Sequence, residues 1–141
     1  MTEPNRRIDH MGFPVAQIER SRAFYDAALA PLGLTVQATF APDLTDSGGT
    51  AIGYGANGDA FFWIGDGERP ADEADVAAGI HIAFTAATRA EVEAFHAAAL
   101  AAGGTDHGAP GLREHYGPHY YAAFVLDPDG ANIEAVCNAP E

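Results

Sequence analysis

The chain has 141 residues, enough for one domain with a real core and too few for two independent ones. Its hydrophobic content of 48% is that of a globular chain. No apolar run reaches the ~18 residues of a membrane span, and a net charge of −13 opposes binding to nucleic acid or anionic lipid.

The N-terminus, MTEPNRRIDH, has no apolar stretch after its arginines, so no secretory signal is expected. The single cysteine, Cys137, cannot form an internal disulfide, and a reducing cytoplasm is the expected setting.

In chain order, IDHMGFPV comes first and alternates. Met11, Phe13 and Val15 share one face and Ile8, His10 and Gly12 the other, which predicts a strand. SRAFYDAALAPLG has apolar residues at helical spacing and closes near Gly33. LTVQATF, TAIGYG and DAFFWIG follow as short strands separated by Gly, Asn, Asp and Ser turns. The acidic, unpatterned stretch after them reads as a linker. GIHIAFTA is then a strand, and TRAEVEAFHAAALAAG a helix with Thr88 as N-cap and Glu91 completing a capping box. TDHGA, YYAAFVL and ANIEAVC close the chain as strands, with a turn at Asp127-Pro128-Asp129-Gly130.

Sliding the chain by 71 residues explains this order. His10 falls on His81, Phe13 on Phe84, Phe24 on Phe95, Leu29 on Leu100 and Gly33 on Gly104, without a gap. The fold class expected is α+β. Two βαβββ modules, residues 6–65 and 79–138, are joined by a linker at 66–78 within one domain spanning 1–141. Mixed and antiparallel sheets should line a cleft, with the helices outside.

Strand parity then selects the residues of that cleft. If the bulky apolar set of each strand faces its helix, His10, His81 and Glu134 face the opposite side. A carboxylate in the middle of a strand is costly without partners. Two imidazoles and one carboxylate satisfy one another around a divalent ion, here Fe, Mn, Ni, Co or Zn. A lone strand histidine is more often a satisfied core residue, but a pair at equivalent repeat positions points to a metal. Trp63 and Phe61 share parity and would form an apolar wall. The loop GLREHYGPHY gathers Arg113, His115, Tyr116 and His119 near the cleft edge, as substrate contacts or as a solvated turn. In HYYAAFVL the pattern leaves open which tyrosine faces the cleft, and the reading taken is Tyr121.

The segments IDHMGF, FYDAALAPLGL, GIHIAF and DPDGANIEAV resemble the vicinal oxygen chelate superfamily of glyoxalases, extradiol dioxygenases, fosfomycin-resistance enzymes and bleomycin-resistance proteins. The likeness runs from about Arg6 to Cys137 and is most specific in DPDGANIEAV. It implies paired βαβββ modules, a homodimer, a small-molecule substrate, and metal ligands at His10, His81 and Glu134. At the position of a fourth ligand, where glyoxalase I has a glutamate, this chain has Trp63. Tryptophan can be neither ligand nor base. Three ligands plus solvent are closer to the fosfomycin-resistance and dioxygenase pattern.

The function expected is therefore a metal-dependent lyase, isomerase, thiol transferase or ring-cleaving dioxygenase. Glu134 is the candidate catalytic group, with His119 or Tyr121 as alternative bases, and Phe61, Trp63, Arg113, His119 and Tyr121 contact the substrate. The alternative is a metal-free drug-binding protein of the bleomycin-resistance type.

Overall fold

A computed structural model describes residues 7–67, 77 and 79–141. The first unit comprises β1 (Met11–Pro14), α1 (Ile18–Leu29), β2 (Thr35–Phe40), β3 (Ala51–Ala56) and β4 (Asp59–Gly65). The second comprises β5 (His81–Thr85), α2 (Arg89–Ala101), β6 (Thr105–Leu112), β7 (Tyr121–Leu126) and β8 (Asn132–Cys137). Most of the expected linker, residues 68–76 and 78, lies outside the described residues.

Each unit is its own four-stranded mixed sheet, ordered β1-β4-β3-β2 and β5-β8-β7-β6. In each, the first strand runs parallel to the last and the other pairs are antiparallel. This is the α+β architecture of two βαβββ modules.

Local chemistry sets the boundaries. α1 ends in a 3-10 turn, Ala30–Leu32, and Gly33 follows at φ 79°, a left-handed conformation that glycine adopts without a Cβ clash. At the start of α2, Thr88 Oγ1 accepts from the Glu91 amide at 3.1 Å, and Glu91 Oε1 accepts from the Ala87 amide at 3.1 Å. This is the expected capping box, with its return bond one residue before the N-cap. Pro110 is tolerated inside β6 because β6 is an edge strand whose pairing with β7 slips at Gly108 and Gly111.

Alternation buries one face of each sheet against its helix. Phe24, Tyr25 and Leu29 of α1 meet Ile52, Tyr54, Phe62 and Ile64, while Val92, Phe95 and Ala99 of α2 meet Ile82, Phe84, Val125 and Ile133. The two cores merge into one. Phe62 of β4 meets Phe84 of β5 edge-to-face at 5.2 Å, and α1 packs on α2.

The turn between β7 and β8 locks this junction. Asp127 is buried, and its Oδ1 accepts from the amides of Asp129 and Ala131, both at 2.9 Å. Its Oδ2 accepts from the Tyr25 hydroxyl of the other unit at 2.6 Å. Asp129 reaches across as well, accepting from the Ala16 amide at 2.9 Å and from Arg20 at 2.5 Å. Burial, and then the neighbouring Asp127 charge, push the Tyr25 hydroxyl well above its ordinary pKa.

Tyr25 thus keeps its proton in the folded chain to higher pH than an unfolded tyrosine does. Its contribution to stability is full below pH ~10 and is lost as pH rises beyond that value. Unfolding free energy should fall above pH ~10, and Tyr25→Phe should flatten that fall. At neutral pH the same change should cost about 1–3 kcal/mol, because Asp127 Oδ2 loses its donor. Urea unfolding of both proteins at pH ~7 and pH ~11 checks both outcomes.

Candidate functional site

The face of the second sheet turned away from α2 is polar at its centre. The pairings His81↔Asn132, Ala83↔Glu134 and Phe124↔Glu134 place His81, Asn132, Glu134 and Phe124 on that one face. Their alternating neighbours Ile82, Ile133, Ala123 and Val125 fill the core. Glu134 is 1% exposed. Its Oε1 accepts from His81 Nε2 at 2.8 Å, and its Oε2 accepts a short hydrogen bond from the Tyr120 hydroxyl. The His81 side chain is 50% exposed, so the pair opens to the surface through the imidazole. Burial, and then the hydrogen bond to Glu134, push the Tyr120 hydroxyl up to about 12.

His10 does not join this pair within the chain. It precedes β1, its Nδ1 lies 2.7 Å from Asp9 Oδ1, and its side chain is 60% exposed. It lines a cavity of about 800 Å³ at the junction of the units, with Asp9, Met11, Phe61, Ala83 and Thr85. Among the described residues, no three His, Cys, Asp or Glu side chains form a group that could hold a metal ion. His81 and Glu134 lie on the open face of the second sheet, whereas His10 stands before β1 of the first.

The open face of the first sheet is aromatic instead. Trp63 pairs with Gly12 and Gly53, and Phe40 stacks on its indole at 5.4 Å and 9°. A Cβ on Gly53 would stand 2.8 Å from the Trp63 ring, so glycine lets the indole lie flat on the sheet. Phe61 is half-buried and lines the junction cavity.

Tyr121 requires correction. It shares parity with Ala123 and Val125, faces the helix side and donates to Glu93 of α2 at 2.6 Å. Tyr120 is the hydroxyl on the cleft side. Both alternating sets in HYYAAFVL are apolar or aromatic, so parity alone could not choose between them. His119 is exposed in the turn before β7. Arg113 donates to the carbonyls of Gly111 at 2.7 Å and Ala109 at 2.8 Å, and lies over Phe124.

The sequence profile of the Glyoxalase/Bleomycin resistance protein/Dioxygenase superfamily matches residues 7–135. The chain belongs to this superfamily. A solved superfamily structure, a glyoxalase/bleomycin resistance protein from Albidiferax ferrireducens, is 30% identical. That match covers 93% of this chain and 98% of that one, at a TM-score of 0.70. Glyoxalase I from Zea mays shares the fold at 20% identity and a TM-score of 0.65, over 92% of this chain and 45% of that longer one. A glyoxalase/bleomycin resistance protein/dioxygenase family enzyme from Burkholderia phytofirmans does so at 19% identity and 0.63, over 95% of this chain and 100% of that one. No curated protein matches the sequence.

Within this superfamily fold the two adjacent tyrosines should behave differently. Tyr120→Phe removes the donor to a buried carboxylate oxygen and should cost about 1–3 kcal/mol in urea unfolding. Tyr121→Phe removes a bond to an exposed Glu93 and should cost about 0.5 kcal/mol or less. Equal losses would contradict the assignment of Tyr120 to the buried acid.

Proposed function

We propose that this superfamily member is a divalent-metal-dependent enzyme that binds neighbouring oxygens of a small substrate and stabilises developing negative charge. The observation that carries the reading is the buried Glu134 carboxylate held against His81 Nε2 at 2.8 Å. A carboxyl group with 1% exposure in the middle of a sheet is costly without partners for both oxygens. One ion with bonds of about 2.0–2.2 Å would reach both Nε2 and Oε1. Tyr120 holds Oε2, which leaves Oε1 as the oxygen turned to His81.

His10 is the third ligand in this reading, and it comes from a second copy of the chain. A homodimer that lays the first sheet of one copy over the second sheet of the other would bring His10 to His81 and Glu134. It would also set Trp63 and Phe61 as an apolar wall opposite the acid. A bound divalent ion supplies Lewis acidity and open coordination positions to substrate oxygens. Such chemistry serves lyases, isomerases, thiol transferases and ring-cleaving dioxygenases. Glu134 is the candidate proton-handling group, and Tyr120 positions it.

Elemental analysis of protein purified without chelator should find about one Fe, Mn, Ni, Co or Zn per chain. His81→Ala and His10→Ala should each lose it. A mixture of the two variants, unfolded and refolded together, should recover metal, because a mixed dimer holds one intact site and one doubly mutated site. Metal retained in the His81→Ala protein sinks the ligand set. Metal lost in each variant and not recovered on mixing sinks the shared site.

A second reading, metal-free binding of a small aromatic ligand, is favoured by the Phe40–Trp63 stack at 5.4 Å. Trp63 is the only tryptophan in the sequence, so its fluorescence separates the two. Quenching by an aromatic cation in chelator supports the binder, and quenching by added Ni or Co supports the metal centre.

A further inference from the structure

A second cavity, of about 250 Å³, opens on the same sheet face beside the His81–Glu134 pair. Its lining is His107, Arg113, His115, Tyr116, Phe124 and Asn132. It contains no carboxylate, although the chain has 20 acidic residues against 7 basic ones. Two of the arginines lie against carboxylates. Arg20 pairs with Asp129 and Arg22 with Asp26. Arg113 pairs with no carboxylate among the described residues. Two backbone carbonyls and the face of Phe124, 5.4 Å from the guanidinium carbon, fix it in place.

Those two carbonyls each take one N–H, which leaves donors of a five-donor fork without partners among the described residues. A guanidinium held rigid in this way is already arranged for a planar anion, and a carboxylate fits its fork with two parallel bonds. A second polar group in the cavity also lacks a partner: Asn132 Oδ1 is buried without a hydrogen bond. Asn132 stands directly across from His81 in the parallel pair. A ligand in the cavity would bring an acceptor to Arg113, and a turn of the Asn132 amide would offer its oxygen to a ligand O–H or N–H.

We infer that this cavity binds a carboxylate group of the substrate, with Arg113 as its specificity-determining residue. The guanidinium carbon and the His81 ring lie 5.4 and 6.1 Å from the same Phe124 ring centroid. Phe124 thus touches both Arg113 and His81, and the carboxylate belongs to a small acid whose other end reaches the His81–Glu134 pair. The inference rests on the metal-centre reading for what that other end does. The binding of the carboxylate stands independently of it.

The test uses full-length protein stripped of metal and follows the Arg113 Nε–H and the backbone amides of residues 107–115 by NMR. Glutarate is the probe, with glutaramide as the uncharged isostere and inorganic phosphate as the tetrahedral anion, at constant ionic strength. Glutarate should shift these signals and bind about tenfold or more tightly than glutaramide. It should also outcompete phosphate. Arg113→Gln should abolish the preference. Arg113→Lys, which keeps the charge and loses the fork, should retain part of it and guards against a folding defect in the first variant. Equal binding of glutarate and glutaramide, preference for phosphate, shifts that survive Arg113→Gln, or no shift with glutarate would each overturn the inference. Because no metal is present, elemental analysis decides the metal centre separately, and either reading can fail alone.

Discussion

The arrangement of this protein depends on one buried carboxylate, Asp127. It closes the turn between β7 and β8 through two backbone amides and, with its other oxygen, takes the hydroxyl of Tyr25 from the opposite unit. A buried acid whose bonds are split in this way ties the two units at a fixed angle, since either unit moving would strand a charge in the core. Asp129, two residues on, adds an ion pair with Arg20 of α1 and accepts a hydrogen bond from the Ala16 amide just before that helix. The apolar contact of Phe62 with Phe84 supplies area beneath the lock, but area alone is not directional.

Fixing the units through their helices determines what their other faces can do. Both sheets spend their apolar parity on the shared interior, and the opposite parity is left open on each. The two sheets share one strand order, but the side chains on their open faces differ in kind. The second sheet carries His81, Asn132, Glu134 and, from its edge, Arg113. The first carries Trp63 and Phe40, and the position equivalent to Glu134 is the tryptophan itself. One face holds polar groups that need partners and the other offers a flat apolar surface.

Much of this was legible in the sequence because strand parity is strict. The side of His81, Glu134 and Trp63 follows from period-two alternation, and the register of β5 with β8 places the first two together. Parity failed at Tyr120 and Tyr121, where both alternating sets can be buried and only the contact with α2 separates them. It also said nothing about reach. His10 stands before β1, outside the strand's alternation, and does not meet His81 and Glu134 within the chain. The DPDG segment was read as a turn, and its part in the unit junction was missed. The available signal was a tyrosine, Tyr25, on a helix face otherwise filled by Phe24, Ala28 and Leu29, a polar tip in the core that needs an acceptor.

The cavity around Arg113 was hidden for a different reason. β6 slips in register twice against β7, at Gly108 and at Gly111, so alternation cannot be carried through TDHGAPGL. Each slip re-aims the side chains that follow, and together they bring His107 and Arg113 to the same cavity although neither shares a simple parity with Glu134. Glycine is what permits this: a Cβ at Gly108 would stand 2.9 Å from the Phe124 ring, and Gly108 and Gly111 both lie close to the Arg113 guanidinium. The irregular edge strand thus lets a cation lie over Phe124, close to the buried acid of the next strand but one. A regular strand there would have filled that space with its own side chains.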